Sequence, residues 1–299
     1  ISIMLIRKIN TRELVMIKQF IDEYRWLSNF APVTIKFDGI EYASVEHAYM
    51  SAKSDDMEWK SKCADKQITA GQIKRKSKDI MLVDDWEELK LGVMEECTRL
   101  KFNEEPYRTL LEGTNHEEIE EGNTWNDTFW GINLKTGEGE NNLGKLIMKI
   151  RGENRILINR RLVADFMGAK CTTSNQRLLR YDVANRPVES RETYILKKWS
   201  LDIFGDFEVI KYDTSWDWLM PVVEKIESIK DEHHGRFGVY IASNGCTIQA
   251  IKFISDKMSE PPMYFSDATL NTKLESTYYC VIKFIEFYNK HLKNKENEG

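Results

Sequence analysis

The chain has 299 residues, a formal net charge of −5, 30% charged residues and 41% hydrophobic ones. That length suits two domains, the lack of any run of about 18 apolar residues excludes a membrane-spanning helix, and the acidic balance excludes a broad nucleic-acid footprint. Five scattered cysteines (Cys63, Cys97, Cys171, Cys246 and Cys280) form no CxxC pair, which argues for reduced thiols and a cytoplasmic setting. The first residues, ISIMLIRKIN, show no secretory h-region or cleavage site.

In chain order, LVMIKQF (14–20) reads as a short strand. TIKFDGIEYA (34–43) alternates around Asp38-Gly39, a hairpin signal. Ser44 is placed to cap a helix from Val45 to about Ser54. Helical spacing of Trp86, Leu89, Val93, Met94, Cys97 and Leu100 predicts a helix over 85–102. PYRTLLEG (106–113) predicts another, closed by Gly113. GEGENNLGKLIMKIR (137–151) is a glycine-rich loop entering a helix, and an amphipathic helix follows over 152–168, ending at Gly168. Residues 169–192 read as polar loop. Strands are expected over 193–199, 207–213, 236–243 and 246–251, with helices over 215–230 and 277–292. The change of character near 151–154 sets the domain boundary, giving domains 1–151 and 152–299.

SVEHAYMSAK (44–53) carries the chemistry. On a continuous helix, Glu46 and Lys53 lie seven residues apart on one stripe. Their Cα atoms then stand about 10 Å apart along the axis, a span comparable to a ribose. The bland alternative is a partly exposed helix with solvated ends. His47 points to another face and reads as structural. No His/Cys pattern suits a metal. Asp127, between Trp125 and Trp130, is either a second acid–base group or a turn residue after Asn126. Trp130 offers a flat face to a heterocycle, or fills the core. Ser28 and Asn29, in RWLSNF, are pocket hydrogen-bonders or a turn. Arg25, Lys74 and Arg75 suit a 5′-phosphate. Asn141 either caps the helix after the glycine-rich loop or lines a pocket. That loop is no Walker A sequence.

EYRWLSNFAP (23–32), SVEHAYMSAK (44–53), DWE (85–87), KF (101–102), LL (110–111), NDTFWG (126–131) and GENNLGKLIMKIR (139–151) occur in an order and spacing that resembles the NADAR (YbiA-like) family of N-glycosidases over residues 14–151. The resemblance implies cleavage of a bond between ribose and a base or amine, without a cofactor. The implied substrates are riboflavin-pathway intermediates or ADP-ribosyl groups on guanine, with ADP-ribosylated nucleic acid as a further partner. It implies Glu46 as principal carboxylate, Lys53 as Schiff-base nucleophile or electrostatic partner, and Asp127 as assistant. Arg25, Ser28, Asn29, Arg75, Trp130 and Asn141 would bind substrate. The family's Gly-Arg pair is departed from here, with Lys74 in the glycine place. LVADFMG (162–168), SWDWLMPVVEKIE (215–227) and VIKFIEFYN (281–289) resemble small phage ABA-sandwich domains, for which no chemistry or partner is implied. The expected fold is α+β: a mainly helical first domain with a small hairpin, then a small α/β sandwich. Rival readings are a non-catalytic ADP-ribose or nucleotide binding module, and a phage interaction protein.

Overall fold

A computed structural model describes residues 16–168, 170–173, 178–182, 193–197, 211–231, 235–243, 245–251, 264–267 and 272–291. The chain mixes helix and sheet and divides into two compact units between Asn154 and Arg155.

In the first unit, β1 (Met16–Ile17) leads through a 3-10 turn (Asp22–Leu27) to the hairpin β2 (Ile35–Phe37) and β3 (Ile40–Tyr42). Asp38 and Gly39 take φ values of 48° and 78°, the left-handed pair that a two-residue turn requires. Helix α1 (Val45–Ser51) follows, with the Ser44 side chain accepting from the His47 amide at 3.3 Å. It ends three residues earlier than the sequence pattern predicts. Ala52 is its C-cap, and the Lys53 carbonyl accepts from the Val83 amide at 2.8 Å instead of continuing the helix. Lys53 is therefore not on a helical stripe with Glu46. It sits in the turn beyond.

Helices α2 (Met57–Ala64), α3 (Ala70–Lys76), α4 (Trp86–Phe102) and α5 (Tyr107–Gly113) come next. Trp86, Met94 and Cys97 of α4 are buried as the spacing implies, but Leu89 is 49% exposed. Gly113 does not close α5 with a left-handed turn; Thr114 caps it in the right-handed region. The core gathers Leu27, Tyr42, Val45, Tyr49, Trp86, Phe102, Leu143, Ile147 and Ile150 around α1.

Short strands β4 (Glu118–Ile119), β5 (Gly122–Asn123) and β6 (Ile132–Asn133) tie the site-bearing segment down. β1 pairs with β4 and β5 with β6, both in parallel. The amides of Glu120 and Gly122 donate to the carbonyls of Ile17 and Lys18, while the Ile132 amide donates to the Glu121 carbonyl. Gly131 is required by this approach: a Cβ there would stand 2.1 Å from the Glu121 oxygen. Gly131→Ala should cost about 2 kcal/mol or more, since backbone must move to admit the methyl. Urea unfolding at constant m-value measures that loss.

α6 (Asn142–Phe166) is one helix of 25 residues, where the sequence suggests a first helix to 151 and a second from 152. Gly168 closes it in the left-handed region, φ 79°. The second unit holds a three-stranded antiparallel sheet, β7 (Lys170–Thr173), β8 (Leu178–Asp182) and β9 (Thr193–Lys197), in sequence order. Two of those strands lie in the stretch expected to be loop. Helix α7 (Trp216–Ser228) precedes a four-stranded antiparallel sheet of β10 (Lys230–Asp231), β11 (Gly235–Ala242), β12 (Gly245–Ile251) and β13 (Tyr264–Asp267), and α8 (Lys273–His291) follows it. α7 packs on β11 and α8 on β12. Leu219, Val222 and Ile226 of α7 join Phe237, Ile248, Val281 and Phe284 in one core.

Tyr212 and Trp218 are buried against each other, ring centres 5.1 Å apart, and Trp199 lies outside the described residues. So do His233-His234 and most of the strand expected over 207–213, whose last residues form a turn. Among the described residues, no helix is long and apolar enough to cross a membrane, and no three His, Cys, Asp or Glu are grouped to hold a metal ion.

Candidate active site

Glu46 is the second residue of α1 and only 3% exposed. Its position is fixed by backbone: its amide donates to the Asn29 carbonyl at 3.0 Å, and the Ser44 cap sets the helix start. His47 anchors the same turn. Its Nε2 donates to the Ile68 carbonyl at 2.8 Å and its Nδ1 meets Ser44 Oγ at 2.7 Å, a structural role through both nitrogens.

The carboxylate of Glu46 is buried, and its Oε1 has no hydrogen-bond partner among the described residues. Its nearest cation is Lys74 on α3, with Nζ 3.6 Å from that oxygen, an ion pair too long for a hydrogen bond. Burial pushes the Glu46 pKa up, Lys74 and then Lys53 pull it back, and Asp127 adds to the rise. Lys53 is half-buried, its amine 5.6 Å from the Tyr49 ring centre and 5.7 Å from that of Trp86. Burial lowers its pKa, with Glu46 opposing and Lys74 adding to the fall. The two groups thus feel each other although no shared helix carries them.

Tyr49 forms the wall beside Lys53. Its ring meets Trp86 at 5.2 Å and Trp130 edge-on at 5.8 Å. Trp130 is half-buried, with Phe129 edge-on at 4.9 Å. Asp127 follows the turn reading in its first contacts: its Oδ1 accepts from the Trp130 amide at 2.9 Å and its amide donates to Asn123 Oδ1 at 3.0 Å. Its charge still reaches Glu46.

The remaining sequence candidates divide. Asn29 is buried; it supports Glu46 through its carbonyl and turns its side-chain amide to Met94 Sδ at 3.3 Å. Ser28 Oγ accepts from the Phe30 amide at 3.2 Å, a local turn. Asn141 does not cap α6 with its side chain. Its Oδ1 accepts from the Glu121 amide at 3.0 Å and its Nδ2 donates to the Ile119 carbonyl at 2.8 Å. Arg25 and Arg75 are exposed, and it is Lys74, beside Arg75 on α3, that turns to Glu46.

One group escaped the sequence reading. Glu121 is half-buried as a residue, but its Oε2 is enclosed and has no hydrogen-bond partner among the described residues. Burial pushes its pKa up to about 7, Asp127 adding to the rise, Lys74 opposing it and Glu46 adding again. Its only signal in the sequence was position: five residues before NDTFWG, in a run of glutamates that reads as solvated. The site therefore brings three acids, Glu46, Glu121 and Asp127, together with Lys53 and Lys74, against Tyr49, Trp86 and Trp130. A separate cleft of about 410 Å³ opens near the end of α1, lined by Asp38, Tyr42, Ser51, Lys60 and Val83; none of the five charged groups lines it.

N-glycosidase YbiA of Shigella flexneri serotype 5b (strain 8401) is 32% identical over 134 residues, covering 44% of this chain and 81% of that protein. Residues 16–155 match the model of the NADAR domain. The chain belongs to the NADAR family. A riboflavin biosynthesis protein of Vibrio vulnificus (strain YJ016) is 31% identical to it over 135 residues, 44% of this chain and 36% of that protein. The NMR structure of the E. coli protein YbiA aligns with 48% of this chain and 90% of its own, at 28% identity and a TM-score of 0.42. All five charged groups and the aromatic wall fall inside the matched NADAR residues.

Proposed function

We propose that the first unit hydrolyses the N-glycosidic bond of a ribosyl-phosphate or ADP-ribosyl substrate. The observation that carries this reading is the buried Glu46 carboxylate, held against Lys74 and near Lys53 beside an aromatic wall. Breaking a C1–N bond builds positive charge at C1 and the ring oxygen, and a desolvated carboxylate stabilises it strongly. Its relatives, an N-glycosidase and a riboflavin biosynthesis protein, support the same class.

In this reading Glu46 faces the sugar, and Trp130 packs on the base. Asp127 holds Trp130 in place. Lys53, its pKa lowered by burial, serves as a nucleophile on C1 or as a positive neighbour to Glu46. Arg25 and Arg75 are assigned to phosphate, and Ser28, Asn29 and Asn141 to support of the pocket. The second unit, proposed as a phage-type domain, is given no step in the reaction.

The test is a panel of three substrates: a pyrimidine-ribosylamine phosphate, an ADP-ribosylated guanine base and a dinucleotide. Base release, followed by mass spectrometry, is expected from at least one. Binding of all three without release would mark a binding module instead. During turnover, borohydride is expected to trap the sugar on Lys53. An active enzyme that yields no adduct removes the amine route and leaves Lys53 as an electrostatic neighbour.

A further inference from the structure

Two facts about the site are unaccounted for by the roles above. Hydrolysis of an N-glycoside needs a proton on the departing nitrogen, and Asp127, the expected assistant, has Oδ1 engaged by the Trp130 amide. Meanwhile Glu121 presents an enclosed Oε2 that no described group satisfies. Buried polar atoms are ordinarily paired, so one left open in a polar site calls for a ligand or a function.

The backbone of Glu121 is held from every side. Its amide donates to Asn141 Oδ1 and its carbonyl accepts from Ile132. Its neighbours Glu120 and Gly122 donate to Ile17 and Lys18. Gly131 allows the close approach that clamps the carbonyl. Such a frame fixes where the side chain starts, which is what a group transferring a proton needs. The field at its carboxyl comes from Asp127, Lys74 and Glu46, the groups of the site itself.

We propose that Glu121 is the proton donor to the leaving nitrogen, with Glu46 as the carboxyl group that faces the sugar. This deepens the N-glycosidase reading and rests on it. The ion pair with Lys74 favours the charged form of Glu46. Among the described residues Glu121 makes no such contact, and burial pushes its pKa up to about 7, so a protonated fraction is present near neutrality. As the C1–N bond breaks, its electron pair goes to nitrogen, which takes the proton of Glu121. Water then adds its oxygen to C1 and gives a proton to the Glu121 carboxylate. The base leaves with one hydrogen, the sugar carries the hydroxyl, and both carboxyls return to their starting states. If Lys53 attacks first, the same proton transfer accompanies that bond breaking, and water later releases the imine.

The test uses the full chain and whichever panel substrate it cleaves. Wild-type kcat is expected to fall above about pH 7, where the donor loses its proton. Glu121→Gln should lower kcat by roughly a hundredfold or more, with little change in KM, and abolish that alkaline limb. Acetate or formate should restore part of the rate to Glu121→Ala. Carboxyl carbon NMR of the wild type gives a reading independent of any variant's folding, and should show Glu121 titrating near neutrality. Titration in the ordinary carboxylate range, or a Glu121→Gln enzyme with the wild-type rate or the wild-type alkaline limb, overturns the assignment while the glycosidase reading stands. A wild-type chain that releases base from none of the panel overturns both.

Discussion

Glu46→Gln is expected to lower kcat by roughly two to four orders of magnitude and to leave the melting temperature unchanged or raised. Both halves follow from burial. The carboxylate is 3% exposed and faces Lys74 at 3.6 Å. A positive charge developing on a sugar in that low-dielectric space feels the anion far more than it would in water. Glutamine has the same shape and no charge, so it retains the packing and loses the stabilisation. Folding benefits, because the cost of burying the anion disappears. The sign agrees with the raised pKa. A carboxyl whose folded pKa is raised supports the fold fully below its unfolded value, and that support is lost as pH rises through the folded value. The neutral variant avoids this loss. Undiminished turnover, or a fall in activity matched by collapse of the fold, would remove Glu46 from the chemistry.

The second large effect belongs to Lys101, part of the KF stretch (101–102), to which the sequence assigned no role. It is fully buried in α4 and donates to the carbonyls of Leu27 at 3.1 Å and Ser28 at 2.7 Å. The rings of Phe102 and Tyr107 lie 5.2 and 5.1 Å from its nitrogen. Burial pushes its pKa from 10.5 to about 7. Between those values the unfolded chain binds the proton and the folded chain does not, so stability rises with pH. Over pH 7 to 9 the gain is about 2 kcal/mol. That window lies below the ordinary thiol pKa of 9.0, above which the raised pKa values of Cys63 and Cys97 begin to act with the opposite sign. Lys101→Met is expected to lose this rise. Urea unfolding of both chains at pH 7, 8 and 9 compares the slopes; parallel slopes would mean the amine is charged in the fold.

The parts of the molecule legible in the sequence are those set by neighbours along the chain. Ser44 announces the start of α1, and Asp38-Gly39 the hairpin, because capping and left-handed turns are local chemistry. The end of α1 was not legible, since Ala52 and Lys53 are acceptable helix residues. It is the bond from Val83, a tertiary contact, that holds the Lys53 carbonyl outside the helix. Glu46 was found through its motif, but its cation partner was not. Lys74 and Arg75 are adjacent and alike in charge, and only the packing of α3 decides which one turns inward. Glu121 was hidden for a similar reason. Composition treats the glutamates of 117–121 alike, and only the paired backbone of that stretch brings one of them to the site. Strands β7 and β8 were missed because their composition reads as polar loop.

The pairing of Ile17 with Ile119 has a consequence for how the molecule comes into being. Contacts this distant in sequence form late, because the intervening chain must first give up its freedom. During synthesis, the hairpin and α1 can organise while Glu121 is still to be added. The acid that completes the proposed site is latched only when the returning chain pairs with β1, so chemical competence waits on a long-distance closure and belongs to no fragment that ends before it.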